Sequence, residues 1–270
     1  MPVKKGPSGN RSIEAEVEVP GTPEEVWKAI ASGPGISSWF VPGKVEERVD
    51  GDALASFGPG MDSVGKIKVW NPPNQYVVET EQQSGKVATE WVVEARAGGT
   101  CVVRVIHRWF SDTDDWDHQF EGHAEGWRAF FRNLRLYLTH FPGQPSSAIQ
   151  RTGFSPESKS QAWSALTNLL GLNVPAVGQR VETSKEAPSF AGLVERVGID
   201  EYPELLLRLD VPTSGIAHFF AMPMGGMVLL SVRFYLFGQQ ASAVTAEVEP
   251  QWQAWIMQHF PPTFGADMNC

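Results

Sequence analysis

Apolar and polar positions along the first 110 residues alternate in two distinct rhythms. Ile13–Val19 (IEAEVEV) sets apolar against acidic residues with a period of two, which predicts a half-buried strand. The next stretch, PGTPEEVWKAI, predicts a helix. Thr22 stands as its cap, Pro23 at the first helical position and Glu25 three residues after the cap, with Val26, Trp27 and Ile30 at helical spacing. Gly33-Pro34-Gly35 breaks that helix, and ISSWF (36–40) makes a short second turn. Six strand-like runs follow from Lys44 to Phe110, ending in QYVVETE, KVATEWVVEAR and TCVVRVIHRWF, with NPPN, Ser84-Gly85 and Gly98-Gly99 between them. Short turns between consecutive strands predict an antiparallel meander. Acidic residues from Asp112 to Asp117 then suit a helix start, and Phe120, His123, Trp127, Phe130, Phe131, Leu134 and Leu138 recur three or four apart, as on a long amphipathic helix.

After PGQPSS the order begins again. VWKAI (26–30) is answered by AWSAL (162–166), setting Trp163 opposite Trp27. SVGKIKVWNPPNQYVVE is echoed by SFAGLVERVGIDEYPELLLRL. Both halves close on a helix running into His-Phe-Pro, LYLTHFPG and WIMQHFPP, where Pro142 and Pro261 help stop the helix and His140 and His259 suit its negative end. From Trp27 to His140 is 113 positions and from Trp163 to His259 is 96, so an internal duplication with deletions is expected. The predicted domains are 13–145 and 146–262, flanked by a disordered tail over 1–12 and a loose tail over 263–270. The second half differs in one respect. ELLLRL, GIAHFFAM and MVLLSVRFYLF are apolar at both parities, so part of that sheet's outer face should be covered, by domain–domain packing or in a homodimer.

Composition narrows the class. With 270 residues, 42% apolar, 20% charged and a net charge of −9, the chain reads as globular, and without a basic cluster a nucleic-acid partner is not expected. Two cysteines, Cys101 and Cys270, give no disulfide framework and fit a cytoplasmic location. MPVKKGPSGNRS has no apolar core behind its lysines, unlike a signal peptide. Val211–Val232 holds no Asp, Glu, Lys or Arg and is long enough to span a bilayer, but Pro223, Gly225 and Gly226 at its middle predict a buried β-hairpin instead of a membrane span.

On PGTPEEVWKAI, ISSWF, GKIKVWNPPNQYVVE, ATEWVVEARAGGTCVVRVIHRWF and EGHAEGWRAFFRNLRLYL, roughly residues 13–141 resemble the SRPBCC (START-like, helix-grip) superfamily. The branch they look most like is the one named after the activator of heat-shock-protein ATPase. The second half is similar only through AWSAL, the Gly-strand-Pro-strand unit and the last helix. The resemblance implies an α+β fold of two tandem helix-grip domains, each a curved antiparallel sheet wrapped around a long C-terminal helix. It also implies a sheet–helix cavity for apolar or aromatic small molecules. Some members are cyclases, hydrolases or lyases, so the fold does not by itself assign a reaction.

Strand parity supplies the expected lining. If Arg104 and Arg108 face solvent, then Cys101, Val103, Val105, His107 and Trp109 face inward; if Glu90 and Glu94 face out, then Val87, Thr89, Trp91 and Val93 face inward. The helix adds Phe120, His123, Trp127, Phe130 and Phe131, with Trp39 and Phe40 at the rim. This lining suits an apolar ligand held by one or two orienting hydrogen bonds, although the same aromatics are what any sheet-on-helix core needs. His107 could orient a ligand, act as acid or base, or sit as a core histidine bonded to Thr89 or the backbone. His118, Glu121, His123 and Glu125 do not have metal-ligand spacing and read as a solvated helix start, so no metal is expected. Nor does the chain hold a Ser-His-Asp order, a phosphate loop or a dinucleotide fingerprint, and no cofactor is expected. Cys101 reads as a small buried apolar residue, and His218 as the lone polar anchor of the second sheet. Three function classes follow: a non-catalytic carrier or sensor of an apolar small molecule, a cyclase- or hydrolase-like enzyme with His107 as acid/base, and a chaperone-related interaction module.

Overall fold

The computed structural model describes residues 3–6, 9–58, 60–82, 85–110, 117–172 and 175–261, the side chains of 82 and 117–125 excepted. It divides into two units, Met1–Gly143 and Gln144–Cys270. In the first, β1 (Lys4–Lys5) and β2 (Asn10–Pro20) lead into α1 (Pro23–Ala31) and α2 (Gly33–Ser37). A meander of β3 (Gly43–Val45), β4 (Asp52–Ser56), β5 (Asp62–Asn71), β6 (Gln75–Gln82), β7 (Gly85–Arg96) and β8 (Thr100–Phe110) follows, and α3 (Asp117–His140) closes the unit. The sheet order is β1-β2-β8-β7-β6-β5-β4-β3, all neighbours antiparallel, so the opening long strand lies beside the last one.

The second unit repeats this plan with fewer pieces. β9 (Ser146–Ser155), α4 (Lys159–Leu170), β10 (Arg180–Glu182), β11 (Ala191–Ile199), β12 (Tyr202–Val211), β13 (Gly215–Met224), β14 (Met227–Phe237) and α5 (Ala241–His259) give the order β10-β11-β12-β13-β14-β9. Again the first strand pairs with the last, β9 with β14 over its whole length. One meander strand and one short helix fewer explain the shorter Trp-to-His spacing. The duplication is therefore a matter of topology as well as of sequence echoes.

Local signals explain the matching parts. Thr22 accepts from the Glu25 amide at 3.3 Å while Glu25 accepts from the Thr22 amide at 2.9 Å, a reciprocal cap, and Ser158 with Gln161 repeats it on α4. Trp27 and Trp163 each lie five residues after their cap. Val26 and Ile30 on α1 are buried, as are Ala162 and Leu166 at the same offsets on α4. Both closing helices end at the expected histidine, and in both the following phenylalanine is the buried residue. The Phe141 amide donates to the Tyr137 carbonyl and the Phe260 amide to the Ile256 carbonyl, each at 2.8 Å. The charge-free segment is a hairpin of β13 and β14 that turns at Gly225-Gly226, both at positive φ (58° and 79°), as a two-residue turn of this hand requires. Among the described residues no helix is long and apolar enough to cross a membrane.

Three expectations need correction. The tail over 1–12 is not uniformly disordered: Lys4 and Lys5 pair with Ser12 and Arg11, and β2 begins at Asn10. Lys4 also reaches Glu14 at 2.5 Å, one reason a charged tail can add a strand to a sheet edge. Glu90, expected in solvent, is buried on the outer face of β7, where Gln75 and Arg108 satisfy its carboxylate. His218 is not alone. Its Nε2 lies 3.1 Å from buried Glu204, which also accepts from Arg196 at 3.0 Å, and on β14 buried Arg233 donates to Ser231 at 3.1 Å. Burial draws the Arg233 guanidinium below its ordinary pKa. These groups share the outward face of β12–β14 with Leu206, Ile216, Tyr235 and Phe237, so these strands carry apolar residues on both faces. Phe120, His123 and the candidate metal residues His118, Glu121 and Glu125 have side chains outside the described residues, as does the tail from residue 262 onward.

Candidate functional site

Between the first sheet and α3 the inward parity of β7 and β8 holds as expected: Val87, Trp91, Val93, Cys101, Val103, Val105 and Trp109 are all buried. Burial raises the Cys101 thiol pKa, Glu24 and Glu25 raise it further, and the thiol donates to the Gly21 carbonyl at 3.4 Å. Trp39 and Phe40 are not at a rim. Trp39 is fully buried, its indole donating to the Ala29 carbonyl at 2.9 Å while its own carbonyl accepts from buried Asn133 on α3 at 3.2 Å. A large ring with one polar atom goes deep only where that atom finds a partner, and the end of α1 provides one.

Around Trp39 the rings form a continuous network. Phe40 stacks on Trp127 at 4.8 Å and meets Phe130 edge-on at 4.5 Å; Trp91 meets Trp127 at 5.0 Å and lies parallel to Tyr76 at 5.9 Å; Phe131 touches Trp39, Trp91 and Trp127. Tyr76, Phe57 and Trp27 belong to this network although the sequence did not mark them as lining. Their signal was there in part, since Tyr76 sits at the inward parity of β6 with Val78. Burial pushes the Tyr76 phenol well above its ordinary pKa, and its hydroxyl donates to the Ile30 carbonyl at 2.8 Å. Trp109 packs with Ile13 and Val87.

One polar node interrupts this apolar interior. The Trp127 indole N–H donates to His107 Nε2 at 2.5 Å, and His107 Nδ1 lies 2.9 Å from Thr89 Oγ1. An indole nitrogen can only donate. Nε2 must therefore carry a lone pair, which puts the ring proton on Nδ1 and makes Thr89 Oγ1 the acceptor. His107 is half-buried, as are Thr89 and Trp127. Of the alternatives for His107, the bond to Thr89 is present and the ring faces inward. The partner at Nε2, twenty residues away on another element, has no local signature in the sequence.

The depressions on the described surface include two that are not lined by these residues. One, of about 440 Å³, lies on the first unit by Gly33, Pro34 and Lys44; the other, of about 230 Å³, lies in the second unit beside Trp163. Among the described residues no group of three His, Cys, Asp or Glu side chains is placed to hold a metal.

Against known proteins, residues 10–136 match the family described as polyketide cyclase / dehydrase and lipid transport. No curated protein is significantly similar to the chain. Among solved structures, the di-domain ARO/CYC BexL from the BE-7585A biosynthetic pathway is 12% identical, with 92% of this chain and 93% of that one covered and a TM-score of 0.44. DynU16, from the dynemicin biosynthetic locus, is 14% identical over 91% of this chain and 95% of that one, with a TM-score of 0.43. The Aha1 dimer from Colwellia psychrerythraea is 19% identical over 47% of this chain and 95% of that one, with a TM-score of 0.40. At such identities and scores these likenesses decide nothing about activity. The family match, which spans nearly all of the first unit, and the strand order shared by both units give the chain a tandem helix-grip architecture of SRPBCC type, its first unit similar to the polyketide cyclase / dehydrase and lipid transport family.

Proposed function

We propose that the first unit binds an apolar or aromatic small molecule between its sheet and α3, as a carrier or sensor and not as a catalyst. The observation that carries this reading is the His107 node. Both ring nitrogens are engaged by protein groups, in a wall of aromatic rings whose other titratable groups, the Tyr76 phenol and the Cys101 thiol, are buried and bonded to the Ile30 and Gly21 carbonyls. An acid/base residue must present a nitrogen to the reacting atom. Here Nε2 is met by Trp127, whose half-buried ring occupies the place beside His107 where a ligand's own ring and donor would sit. A ligand with a planar body and one O–H or N–H would take over both contacts as Trp127 turns aside, which suits an interior with one orienting hydrogen bond. The family's description, which joins cyclase and dehydrase chemistry with lipid transport, is compatible with such a ligand.

Native mass spectrometry of freshly purified protein, followed by thermal-shift titration with a panel of fused-ring phenols and fatty acids, tests the reading. A bound mass, or a saturable rise in the first unit's melting temperature that is lost in Trp91→Ala, supports it. The reading is overturned if no ligand is carried and no compound raises that melting temperature. Turnover of a bound compound that His107→Gln abolishes would replace it with the enzyme reading.

A further inference from the structure

The second unit's depression has a structural origin that the first unit explains. On α1, Trp27 meets Trp70 at 5.1 Å and Tyr76 at 5.6 Å, so two rings from the β5–β6 hairpin fill the space beneath it. Trp70 and Tyr76 lie five and eleven residues after Gly65 of β5. Five and eleven residues after Gly192 of β11 stand Val197 and Pro203. The duplicated unit keeps the helix tryptophan but has no ring at either of these two positions; the hairpin's own Tyr202 lies instead under Lys159 of α4, whose Nζ is 6.0 Å from the ring centre. What remains is a half-enclosed cavity of about 230 Å³ between α4 and the β11–β12 hairpin, lined by Trp163, Ser160, Ser164, Val197, Gly198 and Pro203 among others.

The wall chemistry is specific. Trp163 is half-buried and, among the described residues, makes no ring contact and has no hydrogen-bond partner for its indole N–H. Ser160 and Ser164, one turn apart on α4, likewise have no partner for their hydroxyls among the described residues, whereas the Thr167 hydroxyl is committed to the Trp163 and Ser164 carbonyls at 3.1 and 3.2 Å. Asp200 and Glu204 also border the cavity, which disfavours an anion. A closed apolar cavity of about 150 Å³ suffices for benzene, so about 230 Å³ accommodates one or two fused rings.

We infer that this cavity is a second ligand site, distinct from the interior of the first unit, for a neutral planar aromatic of one or two rings that carries a hydrogen-bond acceptor. The ring replaces the missing Trp70 and Tyr76 equivalents beside Trp163, and the acceptor takes the indole N–H or a serine hydroxyl. No covalent step is involved.

Quinoline, neutral near pH 7 with one ring nitrogen as acceptor, is the probe. In a spectrum of the full chain with ¹⁵N-labelled indoles, Trp163→Phe identifies the Trp163 N–H signal. Quinoline should shift that signal saturably, with a midpoint on the order of 1 mM for so small a ligand. Filling the cavity as the first unit does, with Val197→Trp and Pro203→Tyr, should raise the midpoint at least tenfold. Should that variant fold poorly, Ser164→Trp fills the cavity from the exposed face of α4, where the core is not disturbed, and should have the same effect. An unshifted Trp163 signal overturns the inference, as does a midpoint unchanged in a folded filled variant. A response confined to first-unit indoles also overturns it, since it reports only on the other site.

Discussion

Trp27 in the first unit is clasped by two rings from the opposing hairpin, while Trp163, five residues after an equivalent reciprocal cap, touches none among the described residues. The two helices agree wherever local chemistry decides: cap, offset of the tryptophan, burial of the positions four and eight residues after the cap. They differ wherever the partner lies on another element. A helix cap needs only its own first turn, but a ring cluster needs residues some forty positions apart to be kept together. Long-range packing is thus the first thing a duplicated unit loses, and the loss leaves a hole of definite shape.

The comparison can be broken most severely in the cores. Trp39→Ala removes a fully buried indole from the ring network and should cost about 3–5 kcal/mol in the first unit; Trp252→Ala, which strips the ring packed on Phe190, Phe219 and Phe234, should cost the second unit a similar amount. Urea unfolding followed by unit-specific indole signals checks whether each variant moves its own transition. A sharper contrast comes from the matched pair. Trp27→Ala should lose about 3 kcal/mol, because the ring is buried between Trp70 and Tyr76, whereas Trp163→Ala, half-buried beside a cavity, should lose about 1 kcal/mol. Equal losses would show that the cavity walls close on Trp163 in solution. The smallest effect should be the most alike: Thr22→Ala and Ser158→Ala each remove one reciprocal cap and should each cost about 1 kcal/mol in thermal unfolding.

The same division between local and distant explains what the sequence made legible. The strand runs, the start of α1 at Pro23, the inward parity of β8 and the turn at Gly225-Gly226 all followed from residues within a few positions of one another. The repeat was legible from the His-Phe-Pro exits, and first-strand to last-strand pairing supports it in both units. Burial of Glu90 depends on Arg108 across a strand pair, the Glu204–His218 contact on the neighbouring strand, and the His107 tautomer on Trp127. None of these partners is marked by spacing. The second cavity was hidden for a further reason: it is made by side chains that are missing, and a sequence read alone shows only those present.

The pairing of first strand with last has a consequence for how the chain is made. In the second unit Gly153 of β9 lies so close to Phe260 that a side-chain carbon there would come within 2.5 Å of the Phe260 Cβ, and the Phe154 amide donates to the Phe260 carbonyl at 3.2 Å. The strand made first is thus clasped by the residue made more than a hundred positions later. On the ribosome the first unit can finish closing while the second is still being synthesised, but β9 must wait as an unpaired edge until β14 and the end of α5 emerge. Each unit is therefore open to mispairing until its own last strand is made.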